Sequence, residues 1–155
     1  MRFSAQEEYG LRCLLQIAGA PGGFLTIKDI ADREALTVAS VAKIMRALRK
    51  GGLVVSTRGQ KGGYALTRSP GEIDVAQVLE ALGGPLHPRD FCRRFAGTQK
   101  KCVHDGDCSL RSMWVSIDRV VHDALSKTHL ADLLKRERPV EFPAVAPAAL
   151  QRTLS

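Results

Sequence analysis

The stretch TVASVAKIMRALRKGGLVVSTRGQKGGYALTRSP, residues 37–70, predicts an amphipathic helix followed by a glycine-rich hairpin. Thr37 is a typical N-cap residue, and apolar side chains follow it at intervals of three and four positions, the period of a helix buried on one face. The predicted buried stripe consists of Val38, Val41, Met45 and Leu48. Residues 53–57 and 64–67 then have the composition of two strands that return on each other across a glycine-rich tip.

The outer face of this helix is small, polar and basic. Its residues are Ser40, Lys43, Arg46 and Lys50. Such a surface can enter the major groove of DNA, because short side chains permit close approach and lysine or arginine can reach base acceptors or phosphates. A solvated helix face has the same composition, so the helix alone leaves both interpretations open.

The hairpin favours the DNA-binding interpretation. Arg58 and Lys61 lie on its predicted tip, where cationic side chains can contact phosphate or enter a narrow minor groove. An ordinary hairpin with basic residues for solubility is the alternative. The helix and this wing supply the candidate DNA-binding residues, which are Thr37, Ser40, Lys43, Arg46, Arg58, Lys61, Gly62, Gly63 and Tyr64.

Two further helices are predicted before this unit. Ser4 and Glu7 have the spacing of a capping box that begins the first helix. That helix is predicted to bury Leu11, Leu14, Leu15 and Ala18. The second is predicted to begin after Thr26 and to carry Ile27, Ile30 and Ala31. Helix, turn, helix and hairpin in this order predict a mainly α fold with a small β-wing (α+β), that is, a winged helix-turn-helix domain.

Composition and charge agree with a folded domain that has an anionic partner. The chain has 155 residues, a hydrophobic fraction of 45%, a net charge of +7 and a pI of about 9.6. The clustering of its cations favours a binding patch over a merely soluble basic protein. The clustered residues are Lys43, Arg46, Arg49, Lys50, Arg58, Lys61 and Arg68.

The two ends of the chain predict no membrane segment. The first residues contain Glu7 and Glu8 and no long apolar run, so neither a signal peptide nor a membrane span is predicted and a cytoplasmic protein is expected. Near the other end Pro139, Pro143 and Pro147 prevent a continuous helix. Residues 138–155 are therefore predicted to form a mobile tail.

Three cysteines, Cys92, Cys102 and Cys108, lie in the polar stretch DFCRRFAGTQKKCVHDGDC. In a chain without signs of secretion, thiols stay reduced, so this grouping favours metal binding or redox sensing over disulfides. Iron–sulfur clusters are held by such soft thiolates, and nearby cations would offset their negative charge. Zinc is an alternative, because His104 completes a Cys₃His set. Reactive thiols without a metal are the third interpretation.

Other uses of the cysteines are disfavoured. An enzyme with a nucleophilic cysteine needs a positioned base, and only His104 offers itself, so no enzyme is predicted. Cys13 lies in the apolar part of the first helix and is predicted to be a buried structural thiol.

The segment LRSMWVSIDRVVHDALSK, residues 110–127, predicts a long helix with a broad apolar stripe. The stripe consists of Leu110, Met113, Trp114, Ile117, Val120, Val121, Ala124 and Leu125. It is too long for one small winged domain to cover, so we expect it to pair with a second copy of the chain in a homodimer. Packing only within one chain is the alternative.

The chain also resembles a known family. The resemblance is carried by MRFSAQEEYGLRCLLQIA, TVASVAKIMRALRKGGLV, STRGQKGGYALTRSPGEIDVAQVLEALGGPL and the downstream cysteines, and it covers roughly residues 1–135. These segments resemble the IscR/NsrR/RirA family of winged-helix regulators. The resemblance implies a homodimer that binds a near-palindromic site on double-stranded DNA. It also implies that the protein usually represses and sometimes activates transcription, in response to iron supply, nitric oxide or redox state. It also implies a [2Fe–2S] or [4Fe–4S] cluster ligated by Cys92, Cys102 and Cys108.

The cysteine spacing departs from the commoner cluster-binding pattern of that family, which has five residues in each gap. Here nine residues separate Cys92 from Cys102, and five separate Cys102 from Cys108. In the best-known subgroup a histidine follows the third cysteine by three positions, and here that position is Arg111. An identical fourth ligand is therefore excluded.

A different fourth ligand is implied by other members, which take an acidic residue from the first helix of the partner subunit. Glu8 stands where that acid is expected. Its rivals are Glu7, His104 and Asp105. A simpler role for Glu8 is an ion pair with Arg12, four residues on in the same helix.

The order of these parts predicts how the protein is organised. A DNA-binding domain (1–84) is followed by a cysteine-bearing loop (85–108), a dimerisation helix with a short helix after it (109–137) and the tail (138–155). The hypothesis is that cluster binding orders residues 90–108 and so changes the relative placement of two DNA-reading helices.

Overall fold

The chain folds as a helical unit that carries a small antiparallel sheet and a long helix after it. The computed structural model describes residues 3–57, 62–85, 90–104 and 106–135. Its elements are α1 Ala5–Ala18, β1 Phe24–Leu25, α2 Ile27–Glu34, α3 Val38–Lys50, β2 Val54–Thr57, β3 Gly63–Leu66, a 3₁₀ turn Pro70–Glu72, α4 Val75–Gly83, α5 Phe91–Arg94, α6 Ser109–Leu125 and α7 Leu130–Leu133. The predicted mainly α fold with a β-wing is confirmed. The predicted tail lies outside the described residues.

The first three helices begin where their caps predict. The Ser4 hydroxyl accepts a hydrogen bond from the Glu7 backbone N–H, and the Ser4 N–H donates to Glu7 Oε2 at 2.6 Å. Thr26 and Asp29 form the same reciprocal pair at the start of α2, and hydrogen bonds from Thr26 lower the pKa of the Asp29 carboxyl. Thr37 accepts from the Ser40 N–H at 3.1 Å and begins α3. Each cap satisfies backbone donors that the helix itself leaves unpaired.

The core lies between α1, α2, α3, α4 and the sheet, and its composition on α1 differs from the prediction. The residues of α1 that are buried are Gly10, Cys13, Leu14 and Ile17. Leu11, Leu15 and Ala18 are only half-buried. The buried stripe is rotated because α4 packs directly on Gly10, where a Cβ atom would overlap the side chain of Leu82.

The buried stripe of α3 also differs at its N-terminal end. Val41, Ile44, Met45 and Leu48 are buried. Val38, predicted to be in the core, is 55% exposed. It is the first residue of α3, outside the buried stripe that begins at Val41.

The wing contains a third strand that the sequence did not predict. The strand order is β1-β3-β2, with Ser56 opposite Tyr64 and Phe24 opposite Ala65. Strand β1 has only two residues, too few for a periodic signal. Its backbone passes so close to Gly63 that a Cβ there would lie 2.8 Å from the Leu25 carbonyl oxygen. The tip of the wing, residues 58–61, lies outside the described residues.

The end of α6 returns the chain to the winged unit. The Val75 N–H donates to the Thr128 carbonyl at 2.8 Å, and the Leu130 N–H donates to the Ile73 carbonyl at 3.0 Å. Leu130 at the start of α7 is fully buried in the core. Within the ranges described, no helix combines the length and hydropathy needed to cross a lipid bilayer.

Candidate functional site

The outer face of α3 presents an exposed row of cations. Lys43, Arg46, Arg49 and Lys50 are all exposed. In the described part of the chain, none of the four has an ion-pair partner. Arg49 was not among the DNA-binding residues predicted individually, although it belonged to the cationic cluster. Unpaired cations on one helix face are the electrostatic pattern that attracts phosphate.

The first turn of α3 is held by its own polar side chains. The hydroxyls of Thr37 and Ser40 lie 2.8 Å apart, and both residues are exposed. Val38 and Ala39 beside them are exposed as well. The N-terminal end of the helix thus presents two small apolar groups next to two hydroxyls. The sequence predicted that Val38 is buried, so it did not predict this surface.

The wing residues take different positions. Gly62 is exposed, Gly63 is buried against β1, and Tyr64 is half-buried against the core. Gly63 therefore has a packing reason to be glycine that is independent of DNA. Arg58 and Lys61 lie outside the described residues, and a DNA contact by any of these five residues stays a prediction.

The three cysteines of the polar stretch belong to different structural elements. Cys92 lies on α5, Cys102 lies in an irregular segment, and Cys108 is the N-cap residue of α6. All three are free thiols and partly exposed. The structure does not gather them: among the described residues, no group of three or more histidine, cysteine or acidic side chains could hold a metal ion.

The helix that carries Cys92 is attached to α6 by aromatic side chains. The Phe91 ring lies 4.8 Å from the Phe95 ring and 6.4 Å from Trp114 of α6, between centroids. Such ring pairs contribute about 0.5–1.5 kcal/mol beyond the area that they bury. Arg94 Nε also donates to Asp90 Oδ2 at 2.8 Å, and this bond lowers the pKa of the Asp90 carboxyl.

Two of the candidate fourth ligands, Glu8 and Glu7, already have hydrogen-bond partners. Glu8 accepts from Arg12 Nε at 2.9 Å, which is the ion pair that the sequence offered as its simpler role. Glu7 is held in the capping box of α1. His104 is exposed in the irregular segment, and Asp105 lies outside the described residues. Ligation by Glu8 stays a prediction.

Cys13 is a structural thiol, as predicted. It is fully buried in the core. Burial, with a smaller contribution from Glu34, raises the pKa of its thiol to about 11. A thiol that stays protonated is a poor nucleophile and metal ligand.

The apolar stripe of α6 divides into two halves. Val121 and Leu125 near its C-terminal end pack toward α1 and α4, where they line a cleft of about 230 Å³. The stripe residues nearer its N-terminal end, up to Val120, are exposed, namely Leu110 (60%), Met113 (43%), Trp114 (41%), Ile117 (41%) and Val120 (39%). One chain therefore covers the C-terminal half of its stripe and leaves the N-terminal half open.

The chain, with its basic helix, wing, cysteine stretch and long helix, matches a known protein family. Residues 3–136 match the profile of the Rrf2 family, described as an iron-dependent transcriptional regulator. The chain belongs to the Rrf2 family. This agrees with the IscR/NsrR/RirA resemblance, and family membership makes the chain a transcriptional regulator rather than an enzyme.

Curated members of the Rrf2 family match along most of their length. The protein rrf2 of Nitratidesulfovibrio vulgaris is 32% identical over 137 residues, which cover 87% of this chain and 88% of that protein. The transcriptional regulator CymR of Bacillus subtilis is 30% identical over 134 residues, which cover 86% and 89%.

Solved structures of Rrf2 regulators have the same fold. The structure of CymR, the global cysteine regulator of B. subtilis, is similar with a TM-score of 0.67 and 28% identity, covering 86% of this chain and 96% of that one. The T. potens IscR structure is similar with a TM-score of 0.66 and 29% identity, covering 86% of each chain. The winged-helix assignment is confirmed by both.

Proposed function

We propose that this Rrf2 regulator is a homodimeric repressor that binds a near-palindromic DNA site and is controlled by an iron–sulfur cluster on its cysteine segment, defined as residues 90–108. The observation that carries the DNA-binding part is the exposed row of cations on α3, which has no ion-pair partner among the described residues. In this proposal α3 enters the major groove, and Arg58 and Lys61 of the wing contact the sugar–phosphate backbone.

Within α3, different side chains are proposed to contact different parts of the DNA. Lys43 and Arg46 reach base acceptors or phosphates. Thr37 and Ser40 donate to phosphate from the first turn. Val38 joins them as an apolar contact, since thymine offers a methyl group in the major groove.

Removal of a cation from the outer face of α3 is expected to weaken DNA binding. We expect Lys43→Ala and Arg46→Ala each to raise Kd for a duplex selected by the wild type by roughly 10-fold, because one groove contact is worth about 1–3 kcal/mol. Fluorescence anisotropy at several salt concentrations measures this.

The matched control is Lys28→Ala, which removes the same charge from α2, where Lys28 faces Asp32 at 3.9 Å. This variant should have a Kd within about twofold of the wild-type value. Equal losses in all three variants would mean that net charge, and not α3, determines affinity.

The iron–sulfur part of the proposal rests on the chemistry of the cysteine segment. Cys92, Cys102 and Cys108 are accessible soft donors, and Arg93, Arg94, Lys100 and Lys101 beside them are exposed cations. Cys108 also lies at the N-terminus of α6, where the helix dipole favours a bound anion. These three thiols would hold the cluster, with Glu8 of the partner subunit as the fourth ligand. When bound, the cluster supplies an iron that small oxidants or nitric oxide can attack.

Cluster binding requires the segment to close, since the three thiols are not gathered in one chain. We propose that this closure, between the winged domain and α6, changes the placement of the two α3 helices. A coupling of about 1–3 kcal/mol would change DNA affinity between roughly 5-fold and 150-fold. Equal affinities of cluster-loaded and cluster-free protein for the same duplex would contradict the coupling while leaving DNA binding intact.

A direct thiol switch is a second candidate function. It is favoured by the separation of the three thiols and by similarity to the B. subtilis cysteine regulator. In that case oxidation of the cysteines, and not cluster loss, would change the affinity for DNA.

One experiment separates the two candidates. The protein is purified without oxygen, and iron, sulfide and zinc are measured together with the absorption spectrum for the wild type, Cys102→Ala and the control Cys13→Ala. We expect iron and sulfide in the wild type and the control, and their loss in Cys102→Ala. Stoichiometric zinc would support the Cys₃His site, and no metal after anaerobic reconstitution would support the thiol switch.

A further inference from the structure

The short helix α5 depends on contacts with α6. Four residues are too few to stay helical in water unaided, and none of the side chains of α5 is fully buried. Phe91 lies against Phe95 at one side and Trp114 at the other. The ring cluster, defined as Phe91, Phe95 and Trp114, therefore attaches the helix that carries Cys92 to α6.

Trp114 belongs to two surfaces at once. Its ring centroid lies 6.4 Å from that of Phe91, and Trp114, a residue of the α6 stripe, is also 41% exposed. Leu110 and Ile117 flank it at helical spacing and are 60% and 41% exposed. Phe95 extends the same apolar area and is 68% exposed. A second copy of the chain that covers this stripe would remove the open edge of the ring cluster from water.

We infer that Trp114 is a positioning residue that couples subunit association to the placement of Cys92. The inference rests on the proposed homodimer, and the occupant of the stripe is a second copy of this chain. Burial of the cluster edge favours its assembled arrangement, so α5 and Cys92 stay in this arrangement for a larger fraction of the time in the dimer than in the monomer. By linkage, a state of the cysteine segment that keeps α5 docked favours association by the same factor.

The test measures the reactivity of each cysteine in reduced, metal-free protein. Iodoacetamide labelling at constant pH is followed by mass spectrometry, and sedimentation gives the dimer dissociation constant. In the wild type we expect Cys92 to react several-fold more slowly at protein concentrations above the dimer dissociation constant than at concentrations below it. In dimeric Trp114→Ala it should react roughly fivefold faster than in the wild-type dimer, whereas Cys108 should change by less than about twofold.

Three further variants separate positioning from general damage. Trp114→Phe keeps a ring and should restore slow labelling of Cys92. Phe91→Leu leaves the α6 stripe intact, so it should speed labelling of Cys92 and weaken association together. Val120→Ala removes apolar surface from the α6 stripe at a position away from the ring cluster. It should weaken association without changing the labelling rate of Cys92 in the dimer.

The outcomes distinguish this inference from the proposed function. A wild-type dimer in which Cys92 labels at the same rate as in the monomer, or as in Trp114→Ala, would overturn the coupling and leave the dimeric regulator standing. A protein that stays monomeric at all concentrations would overturn both.

Discussion

Replacement of Ile117 by glutamate is expected to separate the two subunits of the proposed homodimer and to abolish its high-affinity DNA binding. Ile117 lies in the middle of the exposed half of the α6 stripe and is 41% exposed in the single chain. A carboxylate there would have to be buried without a partner when a second copy docks, which is strongly unfavourable. A dimer engages two half-sites at once, so its loss should lower affinity for the palindromic duplex by roughly 100-fold or more.

The measurements are sedimentation equilibrium and binding to a duplex with two half-sites. Ser112→Glu is the matched control, because it adds the same charge to the exposed opposite face of α6. It should leave both association and DNA binding unchanged. A dimer that survives Ile117→Glu would show that the subunits associate through another surface.

The second large effect is expected from the buried face of α3. Leu48 is fully buried in the hydrophobic core, whereas Val38 in the same helix is 55% exposed. Leu48→Ala should lower the free energy of unfolding by about 2–5 kcal/mol, because a cavity replaces the lost side-chain contacts. Val38→Ala should cost about 0.5 kcal/mol or less.

Urea unfolding followed by circular dichroism measures both changes in the free energy of unfolding. All variants are compared at one protein concentration, because the stability of a dimer depends on protein concentration. Val38→Ala should instead weaken DNA binding if Val38 contacts a thymine methyl group. Similar losses of stability in the two variants would contradict the exposure of Val38 and would favour the stripe predicted from the sequence.

The local features of the fold could be predicted because they depend on neighbouring residues. The caps at Ser4, Thr26 and Thr37 need only a side-chain oxygen and a backbone N–H a few positions later. The basic face of α3 follows from helical periodicity in the same way. Strand β1 could not be predicted, since two residues carry no period and its partner β3 lies far from it along the chain.

The residue types of the candidate cysteine site could be predicted from the sequence, but their positions in the fold could not. Three accessible thiols among cations are a property of the sequence and point to metal or redox chemistry. Their separation onto α5, an irregular segment and the start of α6 depends on contacts such as Phe91 with Trp114. Spacing along the chain cannot reveal these contacts, because the residues involved are distant in sequence.

By itself, the sequence determined the order of the first three helices, the presence of a wing, the basic outer face of α3 and the amphipathic character of α6. These properties depend on short-range periodicity and hydrogen bonds. Only the tertiary structure decided which side of α1 is buried, that Val38 is exposed, that Gly63 is required by the approach of β1, and that one chain covers only the C-terminal half of the α6 stripe. Packing between distant elements sets these features, because an apolar side chain is buried only where another element arrives to cover it.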